Sequence, residues 1–253
     1  MYLARILKFL PLSINNCSQK NWTLFRFFER LLPSPVPDQQ KTELNVSGTS
    51  FNINCANKQE RLLMYCFYNI LRYYEQSELG SYMKRTLKSN DLFVDVGANM
   101  GFYSYLAKRA GARAIAFEPE PMHADYLSRN PQCYDTLYPI ALSDNASTST
   151  FYVGNELNTG IHSLVLGDQS FNNSDYADAV EVQTRRLDRL LTDDTNLDQL
   201  KLIKVDVEGA EEEVINGTVG IMEEGFRPQI WCEVRGEQSD RNGGNYQTIT
   251  NIL

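Results

Sequence analysis

The stretch DLFVDVGANMG, residues 91–101, decides how this chain folds. Leu92, Phe93, Val94 and Val96 form a short apolar run of the kind that fills a buried parallel strand. Asp95 stands at its carboxyl end. Gly97 and Gly101 permit a tight turn whose backbone can approach a ligand closely. A helix, FYSYLAKRA, follows and ends at Gly111. In open α/β sheets, ligands bind just beyond the carboxyl ends of the strands, so the search for chemistry starts at this turn.

Outward from this turn, strand and helix patterns alternate. RAIAF (113–117) is a strand, residues from about Pro121 to Asn130 a helix, and TLYPIAL (136–142) a third strand. STSTFYV (147–153) and AVEVQT (179–184) read as an antiparallel excursion, and RRLDRLL (185–191) begins a helix. KLIKVDV (201–207) is a buried strand, AEEEVINGTVGIMEE (210–224) one acidic amphipathic helix, PQIWCEV (228–234) a strand and NYQTITNIL (245–253) a last helix. Five parallel-type strands joined by helices predict an α/β fold with a doubly wound, mostly parallel sheet.

Upstream, LNVSGTSFNIN (44–54) alternates on both sides of Ser-Gly and reads as a hairpin. Residues 59–75 form an apolar helix with an aromatic face suited to core packing. Pro33, Pro35 and Pro37 mark a stiff connector, which places a boundary between an appendage over 1–40 and a main domain over 41–253. The appendage is basic and aromatic. Residues 1–41 carry six Lys/Arg against Glu29 and Asp38, a net of +4 in a chain whose total is −8, so the remainder carries −12. MYLARILKFLPL is too short and too charged to span a bilayer and lacks an uninterrupted signal-peptide core. Residues 1–32 read either as a helical flap packed on the domain or as an interfacial element lying on a membrane.

The acidic balance argues against a nucleic-acid partner, which calls for a basic field. Five widely spaced cysteines without a CxxC pair suggest neither a disulfide framework nor a zinc site. They fit a reducing, cytoplasmic setting, with membrane association as the alternative. The N-x-S/T triplets that begin at Asn21, Asn45, Asn145, Asn172 and Asn216 are read as chance matches to a short pattern.

The remaining chemistry gathers at the other strand ends. Glu118 ends RAIAF, where a carboxylate can accept from both hydroxyls of a ribose. The turn after Asp95 is not a dinucleotide fingerprint, because the third glycine is missing and Asn99 stands between Gly97 and Gly101. A cationic sulfonium nucleoside needs an acid at the turn rather than an open phosphate site. Ser143 and Asp144 are placed to meet a base, or else simply begin a turn. Asp206 and Glu208 end KLIKVDV, and Glu208 has the alternative of capping the next helix. His162, in the polar loop NTGIHSL, is a candidate base or plain surface. His123 is a weaker candidate base. Glu233 and Arg235 are either acceptor-site residues or an ion pair.

Taken in order, FVDVGANMGFYS (93–104), IAFEPEP (115–121), YPIALSDNAS (138–147), NTGIHSL (158–164), VQTRRLDRLL (182–191) and IKVDVEGAEEEVINGT (203–218) resemble the FkbM-type family of S-adenosylmethionine-dependent methyltransferases. The resemblance implies a class I methyltransferase, Rossmann-like sheet and methyl transfer from S-adenosyl-L-methionine, commonly to a hydroxyl of a sugar or natural product. It implies a cofactor turn of Asp95, Gly97, Asn99 and Gly101, with Glu118 and the adjoining Pro119 at the ribose. Ser143 and Asp144 would lie near adenine, and Asp206 and Glu208 would line the reaction site. The expected mechanism is in-line transfer with Asp206 or Glu208 as base and His162 second, and no metal is implied. The family usually continues into a closing strand pair. The chain stops at Leu253, so either that pair is incomplete or another element, such as the hairpin, covers the edge. A non-catalytic binder of the same cofactor and an NAD-dependent dehydrogenase on a similar sheet are the competing readings.

Overall fold

A computed structural model of the chain describes residues 41–154, 176–191, 197–207 and 209–233. The chain divides after Glu78 into two compact units. In the first, β1 (Lys41–Val46) and β2 (Thr49–Asn54) form an antiparallel hairpin that is a two-stranded sheet of its own. Ser47 and Gly48 both take positive φ, 53° and 88°, as the two-residue turn between right-handed twisted strands requires. Helix α1 (Lys58–Gln76) follows. Asn57 caps it by accepting from the Glu60 amide at 3.0 Å, while the Glu60 carboxylate accepts from the Asn54 amide at 2.7 Å. Phe51 of β2 and Phe67 of α1 meet at a centroid distance of 4.4 Å.

The second unit is reached through α2 (Glu78–Thr86). Its strands and helices run β3 (Leu92–Val96), α3 (Phe102–Arg109), β4 (Arg113–Phe117), α4 (Pro121–Ser128), β5 (Thr136–Tyr138), β6 (Ala141–Leu142), β7 (Ser147–Gly154), β8 (Tyr176–Arg185), α5 (Leu187–Leu190), β9 (Leu200–Val205), α6 (Glu211–Asn216), α7 (Val219–Glu223) and β10 (Gln229–Cys232). Five strands make the central sheet in the order β10-β9-β3-β4-β5, every pair parallel. The period-2 alternation of side chains splits each strand between two cores. Leu92, Val94, Val96, Ile203 and Val205 pack with Leu187, Val214 and Ile221. Phe93 and Leu202 pack instead with Leu79, Met83 and Ala107. Helices thus cover both faces, as the doubly wound reading requires.

Three elements differ from the sequence reading. TLYPIAL is not one strand. Pro139, which has no N–H to give a ladder, ends β5 at Tyr138, and β6 joins a separate three-stranded sheet, parallel to β8. The acidic helix over 210–224 is two short helices broken at Gly217–Thr218. There the Gly217 carbonyl accepts from the Asp188 amide at 3.0 Å, and the Thr218 hydroxyl donates to the Ile215 carbonyl at 2.6 Å. RRLDRLL contributes only the single turn α5, Leu187–Leu190. The antiparallel excursion is β7 against β8, from Ser147↔Thr184 to Gly154↔Tyr176. The appendage over 1–40 and the helix over 245–253 lie outside the described residues. No described helix is long and apolar enough to cross a membrane.

Candidate functional site

The parallel sheet brings the carboxyl ends of β3, β4 and β9 to one edge, and the turn after β3 is shaped there by its own residues. Gly97, Asn99 and Gly101 have φ of 73°, 53° and 71°. A side chain at Gly97 would place its Cβ 2.0 Å from the Asp206 carbonyl oxygen, and one at Gly101 would meet Leu127 Cδ2 at 2.6 Å. Asn99 tolerates the left-handed region because its side-chain oxygen bonds locally, accepting from the Met100 amide at 2.8 Å. The amides of Gly97 and Ala98 both donate to the Phe117 carbonyl at 3.0 Å, which pins the turn to the end of β4.

Glu118 stands one residue beyond β4 and is 5% exposed. Its Oε2 accepts from the Asn99 amide at 2.5 Å and its Oε1 from the Glu120 amide at 2.9 Å. Burial pushes its carboxyl up to about 7 from an ordinary 4.5, against the lowering effect of those two amides and of the Lys204 charge. Pro119 follows, half-buried, and Glu120 caps α4 by accepting from the His123 amide at 2.7 Å. The His123 ring lies below this pair, with Nδ1 3.4 Å from Glu120 Oε2 and 3.9 Å from Glu118 Oε1. His123 is buried among carboxylates, not on the surface.

Asp95 is fully buried within β3. Its Oδ2 accepts from the backbone amide of Ser104 at 3.0 Å and from the hydroxyl of Ser104 at 2.7 Å, which ties the strand to the first turn of α3. Among the described residues, Oδ1 accepts no hydrogen bond and has the ammonium of Lys204 at 3.2 Å as its counter-ion. Asp95 therefore holds the turn from beneath. Lys204, which sequence reading left without a role, also donates to the Gly97 carbonyl at 2.6 Å and lies 3.4 Å from Asp206 Oδ2. Asp206 follows β9, its amide bonded to the Val96 carbonyl at 3.2 Å and its side chain 32% exposed.

Direct contacts thus join Asp95, Gly97, Lys204 and Asp206 through one ammonium, and Asn99 to Glu118 on the same turn. Ser143 and Asp144 belong to a different framework. The Ser143 amide donates to the Arg185 carbonyl at 2.9 Å, and the Asp144 carbonyl accepts from the Arg186 guanidinium at 2.7 Å. Asp144 Oδ1 faces the Ser143 hydroxyl at 3.3 Å and the Asn145 side-chain amide at 2.8 Å. Glu208, His162 and Arg235 lie outside the described residues. Helix α6 begins at Glu211 with Ala210 at its cap, and the Glu211 carboxylate accepts from the Gly209 amide at 2.9 Å and 3.1 Å. Burial pushes the Glu211 carboxyl up as well, with Asp206 and Glu213 adding to the shift. The sequence signal for Glu211 is an acid two residues after Gly209. Lys204 has no such signal, since only pairing of β9 with β3 sets it opposite Asp95.

The family model of the methyltransferase FkbM domain matches residues 95–253. The chain is 34% identical over 162 residues to methyltransferase sdnD of Sordaria araneosa, covering 52% of this chain and 61% of that one. It is 28% identical over 142 residues to 2-O-methyltransferase NoeI of Sinorhizobium fredii, covering 51% and 58%. With methyltransferase 1 of Beauveria bassiana it shares 27% identity over 150 residues, covering 51% and 58%. The chain therefore spans about six-tenths of the length of these curated relatives. With the match starting at Asp95 itself and running through the strand ends that build this site, the chain belongs to the FkbM methyltransferase domain family.

Proposed function

We propose that the chain transfers a methyl group from S-adenosyl-L-methionine to a hydroxyl of a sugar, glycan or natural-product acceptor. The observation that carries this reading is Glu118, a buried carboxylate at the tip of β4 whose two oxygens each already hold one backbone amide. A carboxylate has about four acceptor sites, so both oxygens retain capacity for the adjacent hydroxyls of a ribose. The residues present fit a nucleoside without phosphates. The turn supplies two required glycines and Asn99, and its amides at Gly97 and Ala98 are spent on Phe117 rather than left open to a pyrophosphate. That arrangement disfavours the dehydrogenase reading.

The cofactor supplies a methyl group already activated on a sulfonium, so the protein's contribution is alignment and proton acceptance. Glu118 fixes the nucleoside end. Asp95 and Ser104 hold the turn that faces the donor. Asp206, part-exposed just beyond β9, would orient an acceptor hydroxyl and take its proton as the oxygen attacks. Glu208 is a second candidate for that proton, and His162 a third. Ser143 and Asp144 are assigned to the adenine end through the resemblance. The name of NoeI, a 2-O-methyltransferase, favours oxygen as the methylated atom.

The test is incubation of the protein with methyl-labelled S-adenosylmethionine and a panel of glycans and hydroxylated metabolites, beside Glu118→Ala. Label transfer to a hydroxyl acceptor that falls at least about tenfold in Glu118→Ala supports the reading. Donor binding by Glu118→Ala at wild-type strength would overturn the site. Donor binding with no transfer to any acceptor would favour a non-catalytic binding protein.

A further inference from the structure

Lys204 is the last-but-one residue of a buried parallel strand and is 4% exposed. A lysine is almost never buried to this degree unless it is paired. Three oxygens surround its ammonium: the Gly97 carbonyl at 2.6 Å, Asp95 Oδ1 at 3.2 Å and Asp206 Oδ2 at 3.4 Å. The Tyr103 ring of α3 lies 5.7 Å from it, within cation–π reach. These partners come from β3, the turn behind it, α3 and the end of β9. Further charge stands nearby at Glu118 beyond β4, and Glu211 on α6 interacts with Asp206. One cation therefore touches both the turn assigned to the methyl donor and the carboxylate assigned to the acceptor.

We propose that Lys204 is a positioning residue for methyl transfer: its ammonium clamps the Gly97 turn to Asp206, and its charge sets how strongly the site prefers a sulfonium donor to a thioether product. The inference rests on the donor reading above. A positive charge fixed beside the turn opposes a bound sulfonium and leaves a neutral thioether unaffected. Asp95 and Asp206 offset part of that charge. Removing the ammonium leaves both carboxylates uncompensated, and the balance moves toward the cationic ligand.

The experiment measures binding of S-adenosylmethionine and S-adenosylhomocysteine by calorimetry to the full chain, Lys204→Met, Lys204→Gln and Lys204→Arg, with thermal melting as the fold control. The ratio of sulfonium to thioether affinity is expected to rise about tenfold in the two neutral variants and to stay within about twofold of wild type in Lys204→Arg. A merely structural lysine would weaken both ligands equally and leave the ratio unmoved. An unchanged ratio in either folded neutral variant overturns the proposal, as does an arginine variant that shifts like methionine. If both neutral variants fail to fold while Lys204→Arg folds, Lys204 is a folding counter-ion and the proposal also falls. Wild-type protein that binds neither compound would instead overturn the donor reading, and this inference with it.

Discussion

Glu118 carries its consequences furthest in its own titration. Its carboxyl, at about 7 when folded and 4.5 ordinarily, keeps a proton that the unfolded chain releases. The stability it contributes is complete below about 4.5 and is lost as pH rises through about 7. Urea denaturation between about pH 5 and pH 8 is expected to show this decline, and Glu118→Gln to flatten it. Donor affinity should move the opposite way. The ionised carboxylate is the stronger acceptor, so binding is expected to tighten as pH climbs through about 7 in wild type and to be level in Glu118→Gln. Gly97→Ala is a steric case. A left-handed φ of 73° and a backbone oxygen 2.0 Å from the new Cβ leave no relief short of moving β9. A loss of about 2 kcal/mol or more is expected by thermal melting, together with loss of donor binding. Asp95 and Glu118 were legible in the sequence because position at a strand tip is a one-dimensional property. Lys204 was not, because Asp95 and the Gly97 carbonyl, which hold its ammonium, come from a segment more than a hundred residues earlier.

Elements are joined at this site by single side chains. Ser104 gives Asp95 both its amide and its hydroxyl, so it links β3 to α3. Ser104→Ala removes one of the two donors to a fully buried carboxylate and should cost about 1–3 kcal/mol in chemical denaturation, with the fold retained. Strand and helix cores were readable from apolar spacing, and β3, β4, β9 and β10 fall where the pattern put them. The breaks were harder to see. Pro139 is a visible breaker, yet only its surroundings show that the chain leaves one sheet there for another. Gly217 looks tolerable inside a helix, and what ends the helix is the Asp188 amide arriving from a different segment to take its carbonyl. Local pattern specifies an element's type. Contacts from elsewhere in the chain decide where it stops.

Across the whole molecule, charge and strand order matter most. With −12 spread over the chain beyond residue 41, the body is expected to repel polyanions. Mixing the protein with duplex DNA at about 0.15 M salt is expected to give no electrophoretic shift, and a shift would show that the basic first 41 residues dominate. The strand order β10-β9-β3-β4-β5 also bears on how the protein comes into being. The turn, α3, β4 and Glu118 are consecutive in the chain and can assemble as a local unit while synthesis continues. The central strand must then wait with one edge unpaired and the Asp95 carboxylate lacking its cation until Lys204, 86 residues beyond Glu118, has been made. Insertion of β9 closes that edge and delivers the ammonium in the same event. Pairing of the central strand on both edges and neutralisation of Asp95 are therefore one step, so a nascent chain halted before residue 204 holds the turn without the charge that balances it.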